Sequence, residues 1–194
     1  MQNYDYAGFY SRHSEPIFTQ FKKEADRFTN ETLLALKFNP DDRYYQLLSL
    51  AGVRLAPLLY VTKGSLERKT ILDLACGAYP SNVLNKTLPE DRFEPWFCRL
   101  LFHLDKTFNF HMRVIGVDLG NLEEELFEHH SYVNLTDSQA LNFLDDHSID
   151  VVHASTYLWA PNYAKCYSGL PQALRKHAQR LTKKEGVYLQ SYSE

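Results

Sequence analysis

The chain has few of the residues that would make its chemistry easy to assign. Among 194 residues there are only three cysteines, Cys76, Cys98 and Cys166, far apart and without a C-x-x-C pair. That excludes a disulfide framework and a cysteine zinc site, so no metal is expected, and it fits a reducing compartment. A basic surplus is also missing: the net charge of −3 removes the electrostatic case for a nucleic acid or an anionic membrane as partner. No apolar run is long enough to span a bilayer, because the longest, residues 47–61, contains Arg54 and Pro57. The opening "MQNYDYAGFYSRHSEP" lacks the apolar core of a secretion signal, which leaves a cytoplasmic protein as the expectation. Glycine is sparse as well, with eight in the chain, and no G-x-G-x-x-G follows any apolar run, so a dinucleotide pyrophosphate has no cradle.

What the chain does have is apolar and aromatic mass: 44% hydrophobic residues, 13 Tyr and 12 Phe, enough for a sizeable core. Residues 15–28 place Ile17, Phe18, Phe21, Ala25 and Phe28 at helical spacing. "NPDD" at 39–42 suits a helix start with Asn39 as cap, and that helix is expected to reach Val61 with a bend at Pro57. From Thr70 the pattern becomes short apolar runs, at 70–75, 113–119, 131–135, 149–155 and 186–192, alternating with helical stretches. These stretches are expected at 81–88, 94–106, 121–129, 138–144 and 171–184. Runs apolar on both faces suit a parallel sheet covered by helices. The fold class expected is therefore α/β, a doubly wound and mostly parallel sheet preceded by an N-terminal helical region. The expected division is 1–65 as a helical cap or lid and 66–194 as the ligand-binding domain.

Three runs end in or near an acid at the edge where such folds bind ligands. Asp73 closes "ILDL" ahead of Ala75-Cys76-Gly77, Asp118 closes "VIGVD", and Asp137 follows "YVNLT". With "IDVVHAS" and "LTKKEGVYLQS" in the same order, residues 70 to 192 resemble the class I, Rossmann-like S-adenosylmethionine-dependent methyltransferases. The resemblance implies S-adenosylmethionine as cofactor, S-adenosylhomocysteine as product and a small-molecule acceptor. It assigns Asp73 to the amino end of the methionine and the backbone of Ala75, Cys76 and Gly77 to contact with the cofactor. Asp118 would take the ribose hydroxyls, Asp137 the adenine amino group, Leu119 and Ser138 the faces of the ring. His153 and Ala154 would lie beside the methyl group, with His153 and Tyr157 as the candidate bases. Tyr10, in the aromatic "NYDYAGFY", would close over the cofactor. Plainer roles suit several of these: Asp137 as a helix cap, His153 as a core residue, Cys76 as a small buried one. The chain departs from the family pattern in having Ala75 and Tyr79 where glycines are usual, and in ending one strand after "IDVVHAS". "GVYLQSY" is thus expected as a sheet edge, covered by the N-terminal region or paired with a second copy in a homodimer.

Overall fold

The structure, a computed structural model, describes residues 1–5, 15–78, 94–154 and 169–190. Its centre is a six-stranded sheet in which every pairing is parallel. The strands are β1 (Gln2–Asp5), β2 (Thr70–Leu74), β3 (Arg113–Val117), β4 (Glu128–His130), β5 (Ile149–Ala154) and β6 (Thr182–Gln190), in the order β1-β6-β5-β2-β3-β4. Counting from β2, the order runs outward in both directions, so the sheet is doubly wound with its switch point beside β2.

Side chains alternate across this sheet, and each face has its own core. Ile71, Val151, Val187 and Leu189 pack against α1 (Pro16–Leu36), α3 (Leu55–Val61) and α4 (Trp96–Phe108). On the other face Leu72, Leu74, Ile115, Val152 and Tyr188 pack against α5 (Leu170–Leu181). α2 (Arg43–Ala51) adds a smaller cluster, Leu47, Leu48 and Ala51 with Trp96 and Leu100 of α4. Helix α4 is the amphipathic element expected from its spacing, burying Trp96, Phe97, Leu100, Leu101 and Leu104.

Several boundaries differ from those expected. α1 runs eight residues beyond Phe28 because Thr29, Thr32 and Leu33 continue its buried stripe. The single helix expected over 40–61 is two: Asp42, not Asn39, caps α2 by accepting from the Tyr44 amide at 2.8 Å. A 3₁₀ turn at Gly52–Arg54 separates α2 from α3. Gly52 packs there against Thr29, where an added Cβ would lie 2.6 Å from the hydroxyl oxygen. Pro57 falls in the first turn of α3, where a missing amide hydrogen costs nothing. The helices expected at 121–129 and 138–144 are absent. Local side-chain bonds compete with them: the Asn121 carboxamide accepts from the Glu123 amide at 2.8 Å, and Asp137 accepts from Gln139 at 2.9 Å. Residues 137–144 instead form successive turns, and the strand expected at 131–135 lies earlier, at β4. α5 stops at Leu181, and Thr182 opens β6 at once, its hydroxyl bonded back to the Ala178 carbonyl at 2.6 Å. The stretch expected at 81–88 lies outside the described residues.

At the sheet edge the first of the two expected coverings is found, as a strand. β6 is not outermost, because β1 pairs with it in parallel from Gln2–Val187 to Asp5–Gln190. A stretch read as part of an aromatic lid is thus built into the sheet, with the Tyr4 ring 6.5 Å from that of Tyr60 in α3. The reason is the unprotected edge itself: β6 carries Val187 and Leu189 with no proline, and any extended segment nearby satisfies its amides. Deleting residues 1–5 should therefore expose β6 and promote self-association. Light scattering checks this, with a larger mass for the shortened chain than for the intact one.

Candidate functional site

The strands are all parallel, so β2 and β3 bring Asp73 and Asp118 to one edge of the sheet, whereas Asp137 does not end a strand. β2 and β5 are neighbours in register, with Asp73 opposite His153. Both residues are 0% exposed, and they meet: His153 Nδ1 lies 2.7 Å from Asp73 Oδ1. The second carboxyl oxygen, Oδ2, accepts from the Cys98 thiol of α4 at 3.6 Å. The Phe97 ring lies over the imidazole with centroids 4.6 Å apart. Asp73 thus turns into the helical layer toward His153, and not outward as an acid awaiting a ligand's ammonium.

After Leu74 the chain turns through Ala75 at φ 54° and Gly77 at φ 95°. Gly77 takes a left-handed conformation at no cost, whereas Ala75 stores about 1 kcal/mol or more there. Ala75, standing where glycine is usual, is therefore a strained occupant of this turn. Ala75→Gly should raise the unfolding free energy by about 1 kcal/mol, measured by urea denaturation. The loop then crosses to β3. The Cys76 amide bonds to the Val117 carbonyl at 3.2 Å, and the Gly77 amide donates to Asp118 Oδ2 at 3.0 Å. Cys76 is buried beside Gly116, where an added Cβ would lie 3.1 Å from its sulfur and 2.5 Å from the Phe127 ring. Burial raises the Cys76 thiol well above its usual range and that of Cys98 to about 11, so neither is a nucleophile.

Asp118 follows β3 and anchors two loops at once. Its Oδ1 accepts from the Gly120 amide at 2.9 Å while Oδ2 holds Gly77. Burial pushes its carboxyl upward, against the opposing pull of the Gly120 and Gly77 amides. Among the described residues no ion pair is made by Asp118. Leu119, beside it, is 44% exposed. Gly120 escaped the sequence reading, although "DLG" carries its signal: an aspartate two residues before a glycine suits a turn closed by its own side chain. Phe97 and Cys98 were missed as well, since nothing in α4 distinguishes the residues over His153 from ordinary core.

Asp137 and Ser138 are exposed in the turn after β4, and the Asp137 carboxylate is used within that turn on the Gln139 amide. Ala154 ends β5 and is buried. Tyr10 and Tyr157 lie outside the described residues. Among the described residues no group of three His, Cys, Asp or Glu is placed to hold a metal, and no helix is long and apolar enough to cross a membrane.

A second charged group supports the site from behind. Arg99 of α4 forks onto Glu125 at 2.6 and 3.0 Å, also pairs with Glu94, and lies 4.5 Å above the Trp96 ring. It ties the segment after β3 to α4, and this pull on Glu125 is one reason residues 121–129 are not helical.

No family model matches the chain, and no curated protein matches it. One solved structure that matches is a selenomethionine form of the CurJ carbon methyltransferase, with a TM-score of 0.40 and 13% identity. The match covers 89% of this chain but 49% of the other, so the chain spans about half that protein's length. The fold assignment rests on the strand order, and this likeness adds nothing to it: the chain is an α/β protein with a doubly wound, all-parallel sheet.

Proposed function

We propose that the crevice between the ends of β2 and β3 binds S-adenosylmethionine and that the protein is a methyltransferase acting on a small molecule. The observation that carries this reading is Asp118. It is a partly buried carboxylate at the carboxyl end of β3, next to the strand where the order reverses, anchored by the Gly77 and Gly120 amides and neutralised by no described cation. The Leu119 amide also acts on the carboxylate, and the lone pairs left over can still accept a hydroxyl donor. A free ribose supplies such a donor, while a phosphate at the same place would meet an uncompensated negative charge.

Asp118 would hold the ribose hydroxyls, Leu119 offers an exposed apolar side chain for a base, and the turn at Ala75–Gly77 lets the backbone come close. When bound, the cofactor supplies an activated methyl group that passes to the acceptor by in-line displacement. The chain's part is to align the two and exclude water. One observation favours a non-catalytic binder as the second reading: His153, the described candidate base, is fully buried against Asp73.

Calorimetric titration with S-adenosylhomocysteine, and with NAD as the phosphate-bearing control, tests the reading. Binding of the first without the second is expected, and the reverse order contradicts it. Turnover of a labelled methyl group then separates the enzyme from the binder.

A further inference from the structure

Resting on the reading of the β2–β3 crevice as a nucleoside site, we infer that it recognises the thioether nucleoside half of its ligand and not the amino-acid tail. An ammonium bound at this edge needs an acceptor it can reach, and the acid that ends β2 is fully buried with a partner on each oxygen. Asp73 Oδ1 receives His153 at 2.7 Å, Oδ2 receives the Cys98 thiol at 3.6 Å, and the residue is 0% exposed. To reach a ligand's ammonium it would have to leave both partners and turn out from beneath the helical layer. That would strand a buried imidazole beside Phe97.

The in-register placement of Asp73 and His153 on adjacent central strands, both paired on both sides, fixes the backbone that sends the two side chains to the same face. Asp118, by contrast, is held only through backbone amides and keeps acceptor capacity. The site therefore draws its affinity from the ribose and base. Among the described residues the zwitterionic tail meets no charged partner from β2, so its desolvation goes unmatched there.

The ligand class that follows is the 5′-alkylthioadenosines. The experiment compares S-adenosylhomocysteine with 5′-methylthioadenosine by calorimetry on the unmodified chain. Dissociation constants within fivefold of each other are expected. A preference above fivefold for S-adenosylhomocysteine overturns the inference while leaving the crevice reading intact. If neither compound binds, the crevice reading fails and the inference falls with it. Asp73→Asn, judged by the ratio of the two constants so that lost stability cancels, should leave that ratio unchanged. A fall in S-adenosylhomocysteine affinity alone overturns the inference.

Discussion

Replacing His153 by alanine should lower the unfolding free energy by about 3–5 kcal/mol, among the largest effects of any single change in this chain. The cost is not mainly the lost contact. The substitution leaves Asp73, 0% exposed, as an uncompensated carboxylate among apolar neighbours such as Ile71 and Phe97. Asp73→Ala should cost a similar amount for the converse reason, an imidazole without its acceptor. The double variant has neither orphan and loses only packing, so it should be markedly less unstable than the two single effects added together. A coupling of about 1–3 kcal/mol is expected from urea unfolding of the four proteins. Additive losses would mean that the pair does not act as a unit.

Asp118→Asn should weaken S-adenosylhomocysteine binding by about 10- to 100-fold, the range set by about 1.5–3 kcal/mol for a hydrogen bond to a charged acceptor. Asparagine keeps the size but loses the charge, and its amide nitrogen must face either Gly77 or Gly120, both of which donate. That donor–donor contact costs some stability, so urea unfolding of the variant is measured alongside its binding. Burial raises the Asp118 carboxyl in the folded state, so burying its ionised form costs stability, and the substitution removes that cost. The same shift fixes the pH dependence. As pH falls through the raised value, Asp118 takes up a proton more readily when folded than unfolded. Its contribution to stability therefore rises on acidification, while ligand binding, which uses the ionised form, declines over the same interval. Calorimetry across pH values above the ordinary aspartate range reads this out, and binding independent of pH there would contradict the role of Asp118.

The central sheet was legible because apolar runs such as "TILDL" and "RVIGV" have both faces covered by helices, and no polar alternation blurs them. Asp73 and Asp118 were legible as edge residues for the same reason: each stands out at the end of such a run. What each acid does could not be read. Whether Asp73 looks toward a ligand or toward β5 depends on the strand order, which brings His153 beside it across 80 positions of sequence. No local pattern encodes that. The failed helices at 121–129 and 138–144 show the limit from the other side. Their apolar spacing is helical, but Asn121 and Asp137 close turns on the amides two residues ahead, and Arg99 of another helix claims Glu125. β1 was hidden because four residues of mixed polarity have no periodicity to speak of, and only the bare edge of β6 gives them a strand to join.

The most direct test of the crevice reading is a titration with S-adenosylhomocysteine followed by the backbone amide resonances of the protein. Gly77 and Gly120, whose hydrogens point at the Asp118 carboxylate, should shift first and farthest, with Leu119 beside them, while the amides of α1 and α2 stay in place. Saturating shifts confined to other parts of the chain, or none at millimolar ligand, would contradict the assignment of Asp118 and with it the proposed function.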